Sequence, residues 1–396
     1  MNKTAAVRVG ADRILEYPAL FAGRLGLITG ASGMTSDHRF TIDALREAYD
    51  LRVLLAPEHG IRGVLGPGET VHPHVDALSG LPAYSLFEDR IFSDDVKEKD
   101  RVHLPPAEAL AQLDTLVFDL QDVGSRYYTY ASTLFYSMRA AAATGKKLVV
   151  LDRPNPIGGL LVECNTHTEE LFSFIGLTPV PIRHGMTLGE LALYYNGEHG
   201  LGCDLAVIPA ENWTRDLYYD ETGLPFTPPS PNLPTQESVV VYNGTCLLEG
   251  TTVSCGRGTT TPFTLIGAPF VQPVQLAQAM NALGLPGLNF APAYFRPEWG
   301  KHAHQSCGGV RIHVTDEKAV RPVALGVWLV CTLRQLFPAD FTFNPPASGK
   351  RWHIDLASGN TDLRDGVLGA PEILEKWERE AQAFLPIRQK YLLYGE

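Results

Sequence analysis

Pro57-Glu58-His59-Gly60 follows an apolar run at 51–56 and sets a carboxylate beside an imidazole. At the end of a buried strand such a pair suits acid/base work, provided burial raises the carboxyl toward neutrality. The plainer reading is a strand-end Glu that caps the next helix. Asp119-Leu120-Gln121-Asp122-Val123-Gly124-Ser125-Arg126-Tyr127-Tyr128 puts two carboxylates, an Arg and two aromatic rings in one turn. Aromatic faces with charged hydrogen-bonding groups are what a sugar site uses. The alternative is an Asp122–Arg126 ion pair that only fixes the loop.

Asp152-Arg153-Pro154-Asn155-Pro156 and Arg183-His184-Gly185-Met186-Thr187 add two arginines. Arg matches a carboxylate bidentately, and it also satisfies loop carbonyls. Residues 244–252, with Glu249, and residues 255–260, with Arg257 and Thr259, are dense in Gly and Thr. Glycine permits close backbone approach to a ligand, or simply turns a hairpin. His72, His74, His302 and His304 are metal-ligand types, but their spacing fits no common zinc signature, so no metal is expected. No Walker A sequence is present and no Gly-x-Gly-x-x-Gly follows the first strand, so no cofactor is expected.

The elements that must hold these clusters are short apolar runs at 25–29, 51–56, 115–118, 148–151 and 205–208. They read as buried parallel strands. Helical patterns at 41–49, 129–144 and 188–195 lie between them, which predicts a doubly wound parallel α/β sheet. Ligands bind outside the carboxyl ends of such strands, where the first-half clusters sit. Pro and Gly thicken over 222–234 and suggest a boundary between residues 1–228 and 229–396. Beyond it, strands are expected at 239–242 and 309–314 and helices at 274–282, 323–336 and 371–384. That makes a smaller α+β domain.

The 396 residues include 33 Lys+Arg and 44 Asp+Glu, a net charge of −11, and 45% are hydrophobic. Such a chain can bury a core and is not of the disordered class. An acidic chain without a basic block is a poor partner for nucleic acid. No apolar run approaches the ~20 residues of a membrane span, and no signal-peptide core is visible near the start. The six cysteines form no Cys-x-x-Cys pair. Cys246 and Cys255 could bridge a hairpin, but free thiols are expected.

Several of these stretches occur together in one order: Pro57-Glu58-His59-Gly60, residues 118–130, residues 151–159, and Arg183-His184-Gly185-Met186-Thr187. Pro229-Ser230-Pro231-Asn232-Leu233-Pro234, residues 248–260 and residues 388–394 follow. The chain resembles the exo-β-N-acetylmuramidase family of bacterial peptidoglycan hexosaminidases along nearly its whole length. The resemblance implies a Rossmann-like N-terminal domain, a smaller C-terminal domain and an active site in the cleft between them. It implies release of N-acetylmuramic acid from non-reducing ends of peptidoglycan fragments, with Glu58 catalytic.

Glycosidases generally need an acid and usually a second carboxylate. Glu58 can be the acid. Asp119, Asp122 and Glu249 remain alternatives for the second group, as does attack by the substrate's own 2-acetamido group. N-acetylmuramic acid carries a lactyl carboxylate, for which Arg183, Arg153, Arg126 and Arg257 are candidates in that order. The catalytic candidates are thus Glu58, His59, Asp122 and Glu249. The substrate-binding candidates are Asp119, Arg126, Tyr127, Arg153, Asn155, Arg183, His184, Asn232, Arg257 and Thr259. Peptidoglycan saccharides or muropeptides are the expected partners. A metal-dependent hydrolase and a non-catalytic sugar-binding protein are the readings from other classes.

Overall fold

In the computed structural model, which describes residues 6–87, 104–346 and 351–395, the apolar runs of the first half pair into one sheet. Its strands are β1 (Arg24–Thr29), β2 (Asp50–Ala56), β3 (His74–Val75), β4 (Pro82–Ser85), β5 (Thr115–Asp119), β6 (Lys147–Leu151) and β7 (Asp204–Ile208). Their order is β3-β4-β2-β1-β5-β6-β7. Neighbours are parallel except β3 and β4. The chain moves outward from β1 on one side and from β5 on the other, so the topological switch lies between β1 and β5. Helices α1 (Thr41–Ala48), α2 (Ala107–Leu110), α3 (Thr129–Ala143) and α4 (Leu188–Glu198) accompany this sheet.

Alternate side chains serve opposite faces of the strands. Ile28, Phe118 and Val150 join one apolar cluster, and Leu27, Val117 and Val149 join another. The first cluster continues without a break into the second half of the chain, taking in Val240, Ile312 and Trp377.

There, α5 (Gln236–Thr245) is followed by β8 (Leu265–Ala268), α6 (Pro273–Ala282), β9 (Leu288–Phe295), β10 (Cys307–Val314) and α7 (Pro322–Leu336). α8 (His353–Ser358), α9 (Asp362–Asp365) and α10 (Ala370–Arg388) complete it. The small sheet is antiparallel, in the order β8-β10-β9. Among the described residues no helix is long and apolar enough to cross a membrane.

The strand expected at 239–242 is instead part of α5. Its β-branched run imitates a strand, but Thr235 caps a helix there, accepting from the Ser238 backbone N–H. Tertiary packing completes the reversal. Gly244 and Gly326 bring α5 against α7 at backbone contact, so a Cβ at Gly244 would lie 1.7 Å from the Pro322 carbonyl oxygen.

The segment after α10 returns to the carboxyl end of the large sheet. The Tyr394 hydroxyl donates to Asp152 Oδ2 at 2.6 Å and accepts from the Ala210 backbone N–H at 2.9 Å. The Leu393 N–H donates to Glu190 Oε1 at 2.7 Å.

Candidate active site

The chain leaves β2 through a turn in which His59 and Gly60 both take left-handed backbones, with φ of 72° and 75°. Glycine tolerates this; histidine adopts it rarely. The turn places Glu58 beside the start of α3. Glu58 Oε2 accepts from Thr129 Oγ1 at 2.7 Å, and Oε1 accepts from the Gly68 backbone N–H at 3.0 Å. Thr129 is the first residue of α3, so the Glu58 carboxyl group is held at the start of that helix.

His59 does not pair with Glu58. Its Nδ1 lies 3.0 Å from the Leu65 carbonyl oxygen. A carbonyl only accepts, so Nδ1 carries a proton and donates it to that oxygen.

Glu58 and His59 line a cavity of about 260 Å³ together with Tyr127, Tyr128 and Thr129. The second half of the chain contributes Tyr242, Cys246, Glu249, Arg257, Phe263 and His353. Arg257 donates through Nε to Glu249. Burial alone would push the Glu249 carboxyl up, but Arg257 outweighs it by charge and hydrogen bonding and holds the group at about 2. Glu249 is therefore a carboxylate at neutral pH. The Cys246 and Cys255 thiols approach it at 3.8 and 3.5 Å, and both are free rather than bridged. Burial pushes the Cys255 thiol up to about 12, so it stays protonated and can donate.

The Arg257 guanidinium also lies over the Phe263 ring, 4.9 Å from its centroid. Its terminal amino groups make none of the hydrogen bonds among the described residues and remain available in the cavity wall. His353 opens α8, and its buried Nδ1 has no partner among the described residues. Burial lowers its pKa.

Two family models match, described as exo-beta-N-acetylmuramidase NamZ, N-terminal, over residues 25–237, and exo-beta-N-acetylmuramidase NamZ, C-terminal, over residues 240–394. The chain belongs to the exo-β-N-acetylmuramidase NamZ family. A peptidoglycan beta-N-acetylmuramidase NamZ of Bacillus subtilis (strain 168) is 40% identical to it, over 99% of this chain and 93% of that protein. Two DUF1343 family proteins of Bacteroides fragilis share the fold. One has a TM-score of 0.85 and 32% identity, covering 98% of this chain and 99% of its own. The other has a TM-score of 0.77 and 31% identity, covering 99% and 100%.

Many residues that carried the resemblance to the NamZ family lie away from this cavity. Asp119 is fully buried and receives Arg153 through two bonds of 2.6 and 2.9 Å, while Arg153 also donates to the Met34 carbonyl. Arg126 forms no ion pair with Asp122. It donates instead to the carbonyls of Asn165, Val180, Ala357 and Ser358. Arg183 is 1% exposed and spends its donors on Glu163, the Ile157 carbonyl and the Tyr218 hydroxyl.

Asn155 ties the Met186 carbonyl to the Ile157 N–H. Asp122 accepts from the Gly124 N–H at 2.7 Å and lies 3.7 Å from His184 Nε2. Burial raises Asp122 to about 7 and lowers His184 to about 3. Asn232 and Thr259 line a neighbouring groove.

Of the residues singled out in the sequence, the fold thus gathers Glu58, His59, Tyr127, Glu249 and Arg257 around one space. It adds Thr129, Tyr242 and His353, which sequence reasoning missed. Thr129 had a usable signal, since it begins a helix just beyond the carboxyl end of β5. His353 lies in none of the motifs. Among the described residues no three His, Cys, Asp or Glu side chains cluster to hold a metal ion.

Proposed function

We propose that this protein is a glycoside hydrolase that releases N-acetylmuramic acid from non-reducing ends of peptidoglycan fragments, a reaction of cell-wall turnover and recycling. The observation that carries this reading is the meeting of Glu58, Glu249 and Arg257 in one aromatic-lined cavity. At about 260 Å³ the cavity lies near the lower limit of the ~300–1,000 Å³ usual for small-molecule sites. That suits one terminal sugar rather than a threaded chain.

In this reading Glu58 gives its proton to the glycosidic oxygen. The Thr129 hydroxyl and Gly68 amide then stabilise the carboxylate as it forms. As the bond from the anomeric carbon to the glycosidic oxygen breaks, the next sugar leaves with the proton, and Glu249, kept ionised by Arg257, faces the positive charge that develops. Water then supplies the hydroxyl at the anomeric carbon, and its other proton restores the acid. The open donors of Arg257 meet the lactyl carboxylate.

Glu58→Gln tests the reading on a chromogenic N-acetylmuramic acid β-glycoside and on the unactivated disaccharide. Loss of the acid should cost about 10²–10⁴ in turnover of the disaccharide, with folding intact. A variant that keeps more than about a tenth of that turnover rules Glu58 out as the acid.

A further inference from the structure

A second groove, of about 690 Å³, adjoins the cavity and shares Pro67 with it. Asn232, Thr259, Thr260 and Trp299 line it. Asn232 directly precedes Leu233, and Thr259 follows two positions after Arg257; Leu233 and Arg257 both line the cavity.

Trp299 is 46% exposed, although an indole is normally well hidden. Its backbone is nevertheless fixed. The Glu298 N–H donates to the Gly258 carbonyl at 2.8 Å. Gly258 has φ +82°, and a Cβ there would lie 2.2 Å from the Trp299 carbonyl oxygen. Only glycine allows this approach, which holds the Trp299 turn against the loop that carries Arg257 and Thr259.

The groove thus offers the Trp299 ring, the Asn232 amide and the Thr260 hydroxyl, while the Thr259 hydroxyl is already bonded to the Gly256 carbonyl and the Thr261 N–H. Among the described residues its one charged lining residue is Glu69. An aromatic ring suits the C–H face of a pyranose, while amide and hydroxyl groups suit its hydroxyls. A carboxylate without a cation disfavours an anionic ligand. The charges therefore divide the two spaces: the arginine lines the cavity, and the neutral Asn232, Thr260 and Trp299 line the groove.

Resting on the hydrolase reading above, we propose that this groove is the leaving-group subsite. Trp299 stacks there on the neutral hexosamine that follows the scissile bond.

The test compares two substrates. The β-1,4-linked disaccharide with N-acetylglucosamine has a ring to stack; methyl β-N-acetylmuraminide has none. Trp299→Ala should lower kcat/KM on the disaccharide by about three- to tenfold, mainly through KM. On the methyl glycoside it should change the value by less than about twofold, and Trp299→Phe should recover most of the loss. In parallel, N-acetylglucosamine should saturably change the tryptophan fluorescence of the wild type but not of Trp299→Ala.

An equal fall on both substrates, unchanged disaccharide kinetics, or a fluorescence response that persists in Trp299→Ala would overturn the subsite. A wild type that cleaves neither substrate would instead sink the hydrolase reading, and the fluorescence titration would still decide whether the groove takes a neutral hexosamine.

Discussion

The Thr129 hydroxyl reaches Glu58 across 71 positions of sequence and donates to Oε2 at 2.7 Å. One short bond thus joins the carboxyl end of β2 to the first turn of α3. Hydrogen bonds to charged groups contribute about 1.5–3 kcal/mol. Thr129→Val keeps the shape and removes the donor, so kcat should fall by about 10–100-fold with KM little changed. Thr129→Ser should retain most of the activity. A Val variant as active as the wild type would show that this contact does not position the carboxylate.

Arg257 is the candidate arginine that lines the cavity, so it should set the preference for a muramyl over a glucosaminyl glycoside. Lysine keeps the charge but not the planar fork. Arg257→Lys should reduce the ratio of kcat/KM for the two substrates by about 10–100-fold. Arg257→Ala should also slow both substrates, because it leaves Glu249 unpaired. An unchanged ratio in both variants would remove Arg257 from substrate recognition.

Arg183 should matter for folding and not for specificity. Its ion pair with Glu163 is buried at 2.8 Å. Breaking such a pair from one side costs about 3–5 kcal/mol. Arg183→Met should therefore lower the denaturation midpoint strongly, while the folded fraction keeps the wild-type sugar preference. A stable variant with altered preference would contradict this assignment.

Asp122 should make stability depend on pH. Burial raises its folded value to about 7, above the ordinary range of an unfolded Asp. Between roughly pH 4 and 7 the native state then holds a proton that the unfolded state has released. This contribution is full below that window and is lost as pH rises through 7. Asp122→Asn cannot ionise, so its melting temperature should gain on the wild type as pH rises from 5 to 8. A constant difference between the two across that range would mean that Asp122 stays ionised in the folded protein.

The strands of the large sheet were legible because each is a local event, an apolar run closed by small or polar residues. The strand-end position of Glu58 was legible for the same reason, since only Pro57 separates it from such a run. The roles of the arginines were not. Arg153 finds Asp119 34 positions away, and Arg126 reaches the Ala357 and Ser358 carbonyls 231 and 232 positions away. No local pattern tells an arginine that satisfies distant carbonyls from one that faces a cavity. The Val239-Val240-Val241 run was misleading for a related reason, because its helix depends on α7, far along the chain. Thr129 was readable as a helix start, yet its bond to Glu58 depends on β2 and β5 flanking β1 in the sheet.

Tyr394 and Asp152 are 242 positions apart, yet one hydrogen bond joins them at the carboxyl end of the large sheet. During synthesis at about 5–20 residues per second, roughly 10–50 s pass between the arrival of the two. Over that interval the nascent sheet already carries Glu58 but not the segment that seals Asp152 and Ala210. The carboxyl end of β6 and β7 then lacks this cover until Tyr394 has emerged from the ribosome.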